Sequence, residues 1–217
     1  MNKITTLLLF FVASLSVLAQ DDSSKKPTTK DFTAEVNFNP FSSNPVNINY
    51  LRFRTFTSER TAVRLGVSIG LENDKPAEDL TRNTFEINLR PGYEWHFTGT
   101  ERLSPYFGVE ADIAIKRSKV TDDDEGAFIT EVKGAWDGFG TERGFTRFGA
   151  NFIIGADFYI ARRLYLGTEF GYGFEAVNSS DIEYTAADGS DIDPDKGGSS
   201  FQIGPNFNSS LRLGFVF

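Results

Sequence analysis

Residues 201–217 read FQIGPNFNSSLRLGFVF, and their alternation constrains the fold more than any other stretch. One set of every second residue is Phe201, Ile203, Pro205, Phe207, Ser209, Leu211, Leu213, Phe215 and Phe217. The other is Gln202, Gly204, Asn206, Asn208, Ser210, Arg212, Gly214 and Val216. A strand sends successive side chains to opposite faces, so one face is nearly all apolar and the other polar or small. Crossing a bilayer takes roughly 9–11 tilted residues, and this run is long enough. It reads as the closing strand of a transmembrane barrel, which the upstream sequence must then supply.

The start of the chain fits an exported protein. In residues 1–19, Lys3 is a short positive region, Leu7 to Val12 are apolar, and Val17 and Ala19 are small residues placed for cleavage before Gln20. That is the pattern of a signal peptide, its apolar run too short and too broken for a membrane-anchor helix. Residues 20–31, QDDSSKKPTTKD, are expected to be a flexible periplasmic leader, because they hold too little apolar surface to order themselves.

Residues 32–217 then repeat the alternation seven more times before or at the closing strand. Phe32, Ala34, Val36 and Phe38 oppose Thr33, Glu35 and Asn37; residues 39–45, NPFSSNP, form a turn. Residues 46–56 are less regular, with Arg52 and Arg54 on the same face as Ile48 and Tyr50; a bulge or a polar upper half accounts for this. Val63, Leu65, Val67, Ile69 and Leu71 mark the third strand. The fourth runs from Phe85 to Phe97, the fifth carries Phe107, Val109, Ala111, Ile113 and Ile115, and the sixth runs from Phe148 to Ile160. Leu164 to Phe174 make the seventh. Short connections alternate with long ones near residues 39, 72, 117 and 176, and the long segments 117–144 and 176–200 are expected to be polar extracellular loops. An even strand number with alternating loop lengths predicts an all-β, eight-stranded, antiparallel up-and-down transmembrane β-barrel. Mean hydropathy, −0.28, averages its two faces and does not report them.

A soluble lipocalin-like barrel would use the same alternation inside out. Glycine placement favours the membrane form. Gly66, Gly70, Gly92, Gly108, Gly149, Gly155, Gly167, Gly171, Gly173, Gly204 and Gly214 all lie on the polar face. Glycine weakens a strand, and a crowded eight-stranded lumen has a use for it that a solvated outer face lacks. The same face carries Glu35, Arg52, Arg54, Arg64, Glu86, Arg90, Glu94, Glu110, Asp112, Lys116, Asp157, Glu169, Glu175 and Arg212. Buried charges must pair, and this mixture can pair across a narrow lumen. Tyr93, Trp95, Phe97, Phe215 and Phe217 gather at one end of the other face, as an interfacial girdle requires.

These features resemble the small eight-stranded outer-membrane barrels that include the OmpA transmembrane domain and OmpX, and look closest to the short porin-family barrels of the Bacteroidota. The resemblance is carried by the signal ending LAQ, by SPYFGVEADIAI, by the hairpin FYIARRLYLGTEFGYGF and by the alternation ending in Phe217. It implies residence in the cell outer membrane, contact with its lipid and lipopolysaccharide, and insertion by the β-barrel assembly machinery through the terminal aromatic strand. Full OmpA-type proteins carry a peptidoglycan-binding domain after the barrel; none is expected here.

Catalytic, cofactor-binding and metal residues are expected to be none. The absence of Cys removes disulfides, thiolate metal sites and Cys nucleophiles, and the net charge of −8 argues against a nucleic-acid surface. His96, the one histidine, points inward near the periplasmic end and is followed by Phe97 and Thr98, so the sequence shows no adjacent Ser for it to activate. The carboxylates of 188–197 are spaced like a calcium loop, but Lys196 stands where that pattern needs Gly and Gln202 where it needs Glu. A solvated acidic loop is the better reading, as it is for Asp122 to Glu125. Trp136 and Phe139 are read as a contact patch or as packing on the rim. The expected function is a non-enzymatic envelope barrel with a filled, charge-paired lumen; the alternatives are an extracellular ligand at loops 117–144 and 176–200, a narrow solute pore, or a lipid-modifying enzyme.

Overall fold

The computed structural model describes residues 26–39 and 46–217, the side chains of residue 47 and of 206–210 excepted. The signal peptide, most of the leader, the end of the turn at 40–45 and the inward–outward alternation across 206–210 lie outside that description. Eleven strands follow in order. They are β1 (Phe32–Phe38), β2 (Val46–Ser58), β3 (Thr61–Asp74), β4 (Leu80–His96), β5 (Leu103–Asp122), β6 (Ile129–Lys133), β7 (Phe145–Ala161), β8 (Leu164–Ser179), β9 (Ile182–Ala186), β10 (Asp191–Asp195) and β11 (Ser199–Val216).

Eight of them close a barrel. Antiparallel pairing runs β1–β2–β3–β4–β5–β7–β8–β11, and β11 returns to β1 from Thr33↔Val216 to Phe38↔Leu211. Closure leaves no free edge in the lipid, where an unpaired backbone group would be costly. The periplasmic hairpins are tight, as at Arg162-Arg163 between β7 and β8, where Arg163 takes a φ of 65°. Residues 26–31, the end of the expected leader, are tied to this rim: Lys26 Nζ donates to Thr98 O at 2.7 Å and Phe56 N to Asp31 O at 3.0 Å.

The apolar face is the outer one. Leu65, Ile69, Val109, Ile113, Phe152, Ile154 and Phe170 are exposed around the wall, while Glu35, Arg52, Arg54, Arg64, Glu94 and Asp157 are buried within it. The aromatic girdle forms at the periplasmic end. Trp95 stacks on Phe107 at 5.3 Å and meets Tyr93 at 4.7 Å, and Phe217 packs on Phe215 at 5.0 Å and Phe32 at 6.1 Å. The irregular second strand contains a bulge. Its pairing with β1 passes from Val36↔Leu51 directly to Asn37↔Asn47, which separates Ile48, exposed on the wall, from the buried Arg52 and Arg54.

The long segments 117–144 and 176–200 are not loops throughout, and this corrects the sequence reading. β5 continues to Asp122, β8 continues to Ser179, and β6, β9 and β10 extend the β5 edge into an extracellular tongue. One cross-strand row, Val120↔Val132↔Tyr184↔Ile192, gives the tongue an apolar spine, buried at Val120 and exposed at Ile192, and Ala135, Ile182 and Ala186 are buried. Each of these strands has only five residues and few apolar ones, so composition alone reads them as loop.

The wall makes a graded prediction. Val109→Arg, at mid-height on the lipid face, should lower the folding free energy by about 2–4 kcal/mol, and Thr146→Arg at the extracellular rim by only about 0–1 kcal/mol. Urea titration of the barrel in phospholipid vesicles, followed by tryptophan fluorescence, measures both.

Candidate functional site

Every barrel strand contributes a charged side chain to one buried cluster. Glu35 comes from β1, Arg52 and Arg54 from β2, Arg64 from β3, Glu94 from β4 and Glu110 from β5. Asp157, Glu169 and Arg212 come from β7, β8 and β11. Period two puts all of them inside, and the stagger of a closed barrel brings them to one height.

The arginines bridge carboxylates rather than pairing singly. Arg54 reaches Glu35 and Asp157 at 2.8 Å each and Glu94 at 3.0 Å. Arg64 reaches Glu110 and Glu169 at 2.7 Å and Glu94 at 2.9 Å. Arg212 joins Glu35 at 2.8 Å and Asp157 at 3.4 Å, and Arg52 joins Glu169 at 3.2 Å and Glu35 at 3.5 Å. Guanidinium is suited to this, with five donors in a rigid fork.

Two tyrosine hydroxyls complete the lattice. Tyr106 accepts from Arg212 at 2.6 Å and donates to Glu169 at 2.7 Å; Tyr165 accepts from Arg54 at 2.7 Å and donates to Glu35 at 2.9 Å. Alternation with Phe107 and Leu164 puts both on the inward face. Their signal was there: a tyrosine facing charges has one OH that can serve both signs. The inward glycines make room for these groups. A Cβ on Gly167 would lie 2.6 Å from Asp157 Oδ1 and 2.7 Å from Arg212 Nη2, and one on Gly92 2.9 Å from Arg64 Cγ.

Above the cluster lies a second, smaller layer open to the extracellular side. Arg90 reaches Asp112 at 3.1 Å and Arg147 reaches it at 3.5 Å; Asn88 donates to it at 2.5 Å. Arg90, Asp112 and Arg147 line a vestibule of about 490 Å³ together with Glu175 and Gln202. Between vestibule and plug, the space lined by Arg52, Arg90, Glu110 and Glu169 is about 20 Å³. That is room for about one water.

His96 closes the periplasmic floor, and here sequence adjacency misled. Its Nδ1 lies 3.0 Å from Ser104 Oγ and its Nε2 3.1 Å from Glu94 Oε2. Ser104 is brought by the next strand, since His96 pairs with Tyr106 across the β4–β5 hairpin. Both His96 and Ser104 are 6 % exposed, and the ring sits against Phe56 and Tyr106 at 5.2 and 5.1 Å.

The tongue separates the residues that the sequence grouped. Trp136 packs under Arg82 and donates Nε1 to Asn83 O at 3.5 Å, whereas Phe139 is wholly exposed. Asp137 pins that turn through Phe139 N at 2.9 Å and Thr141 N at 3.0 Å. In 188–197, Asp188 is taken up by Ser190 and Asp195 faces Arg143. Among the described residues, no group of three or more His, Asp or Glu converges as metal ligands would.

The model of the OmpA-OmpF-like porin family matches residues 77–179. The outer membrane protein OprG of Pseudomonas aeruginosa is similar in structure at 10 % identity, with 90 % of this chain and 99 % of that one covered and a TM-score of 0.48. Ail, the attachment invasion locus protein of Yersinia pestis, is similar at 8 % identity, covering 88 % and 100 %, TM-score 0.40. The outer membrane protein AlkL is similar at 15 % identity, covering 92 % and 97 %, TM-score 0.41. Among curated proteins nothing matches.

Two predictions follow from this geometry. Arg64→Met leaves Glu110 without an ion pair and takes one arginine from Glu94 and Glu169, and should destabilise the barrel by about 3–5 kcal/mol, read as a lower midpoint of heat-modifiable gel mobility. Adding Glu110→Gln should recover part of that loss. On the tongue, the Gly197 amide and then Lys196 hold the Asp181 carboxyl below its ordinary range. A depressed carboxyl stabilises above its unfolded pKa, about 3.9, and loses the contribution as pH falls through the folded value. The protection factor of the Gly197 amide should therefore fall only below about pH 4, and Asp181→Asn should remove that pH step.

Proposed function

We propose that this chain, a small eight-stranded outer-membrane β-barrel of OmpA-like type, is a sealed, non-enzymatic envelope protein whose lumen is filled by ion pairs. One observation carries the reading: all eight barrel strands send charge to one level, leaving about 20 Å³ between the vestibule and the plug. A hydrated ion cannot pass so small a gap without breaking the lattice. The pore alternative is tested by planar-bilayer recording of the purified barrel. Wild type should give no steady conductance steps; stable open steps would sink the sealed reading.

Burial supports the non-enzymatic part. Glu94, His96 and Ser104 form a hydrogen-bonded chain, but Glu94 already holds Arg54 and Arg64, and Ser104 is enclosed. A substrate carbonyl would need to reach Oγ through the girdle or the plug. Labelling of Ser104 by a fluorophosphonate probe in the folded barrel would overturn this.

Insertion through the assembly machinery fits the terminal strand. Phe217 N donates to Phe32 O at 2.8 Å, so the last residue both closes the barrel and anchors its girdle. Deleting Phe217 should cut outer-membrane insertion far more than Phe139→Ala, as judged by heat-modifiable protein in isolated membranes.

A second reading gives the tongue an extracellular ligand. Phe139 on its pinned turn and the exposed Phe128 favour it, since large aromatics held rigidly in water are effective anchors. Unchanged cell-surface binding by a barrel lacking 117–144 and 176–200 would count against it.

A further inference from the structure

On this acidic protein, one basic group stands on the lipid side of the wall. Cross-strand register places it. Ile69, Ile87 and Ile115 form one outward row, and the next row towards the outside is Leu71, Phe85 and Arg117. Beyond it come Asn73, Asn83, Lys119 and Lys133. Leu71 is 81 % exposed and Phe85 39 %, so the row faces outward; the intervening Ser118 is buried. Arg117 thus stands in the last apolar row, where hydrocarbon gives way to headgroups.

The local chemistry is that of a headgroup site. A cleft of about 490 Å³ is lined by Leu71 and Phe85 on its apolar side and by Asn73, Asn83, Arg117 and Lys119 on its polar side. Among the described residues Arg117 has no carboxylate partner; its side chain donates to Ser180 Oγ at 3.4 Å. Lys119 and Lys133 share Glu131, and Glu183 lies opposite Lys133. Continued onto β7, β8 and β11, the Ile115 row is neutral, with Thr146, Asn178 and Ser199.

We infer that this cleft binds a phosphorylated outer-leaflet amphiphile, its phosphate on Arg117 and Lys119 and its acyl chains along Leu71 and Phe85. The inference rests on the outer-membrane placement and is independent of whether the lumen conducts. Guanidinium and ammonium groups both bind phosphate, Arg in a two-pronged manner. The opposing carboxylates, Glu131, Glu183 and Glu72 at the cleft edge, set a limit on the affinity and favour a doubly charged headgroup over a singly charged one.

The test uses the purified full-length barrel in detergent, with heat-modifiable mobility as the check of folding and native mass spectrometry as the binding readout. Bisphosphorylated lipid A should bind wild type, and Arg117→Gln with Lys119→Gln should weaken it by roughly fivefold per residue removed. Arg162→Gln with Arg163→Gln, the same charge change at the periplasmic hairpin, should leave binding unchanged. Wild-type binding should also weaken as sodium chloride is raised, a readout that needs no variant. Equal binding by the double variant, or by dephosphorylated lipid A, would reduce the cleft to ordinary annular contact and overturn the proposal. Inorganic phosphate binding as tightly as lipid A would overturn it too, by making the cleft a free-anion site.

Discussion

Four arginines buried in a barrel too narrow for bulk water set the terms for the rest of this structure. An unpaired charge there is untenable, so each guanidinium must find carboxylates, and the nearest ones belong to strands far away in sequence. Arg52 meets Glu169 across 117 residues and Arg212 meets Glu35 across 177. The ion pairs therefore do more than neutralise charge. They cross-link the wall through its interior, and the backbone ladder alone connects only neighbouring strands.

Filling the lumen with long polar side chains explains the wall's composition. Glycines at 66, 92, 155, 167 and 214 sit under Tyr50, Arg64, Tyr106, Arg212 and Tyr165, where any Cβ would collide with those groups. The cost of glycine in a strand is offset by the fit of the large side chain above it. The outer face has no such constraint and is free to carry Phe, Ile, Leu and Val. The same backbone thus holds a hydrocarbon-facing surface outside and a dry electrolyte inside.

Much of this was legible in the sequence, and the failures have a common cause. Period two assigns a residue to a face, so the lipid belt, the inward charges and the eight-strand count could be read from alternation and loop length. It does not assign height, and so could not say which Arg meets which Glu. It also searched for a partner of His96 along the chain, where Phe97 and Thr98 follow, although the hairpin delivers Ser104 from across the strand pair. The tongue escaped because β6, β9 and β10 derive their order from each other. Ile129-Thr-Glu-Val-Lys133 has no amphipathic signal long enough to stand apart from a polar loop until Val120, Tyr184 and Ile192 are seen beside it.

The two charged layers also mix both signs. The plug holds four guanidiniums, Arg52, Arg54, Arg64 and Arg212, against five carboxylates, Glu35, Glu94, Glu110, Asp157 and Glu169. The layer above adds Arg90 and Arg147 against Asp112, with Glu175 on the vestibule wall. Both signs are therefore interleaved along the lumen axis. A conducting channel selects ions by presenting one sign of charge along an open path. Here an entering ion of either sign would meet groups of both signs and would have to displace a pair at contact distance to move on. The mixed charge and the small space above the plug therefore support the same proposal, that the interior serves stability and that exchange with the outside falls to the rim and tongue.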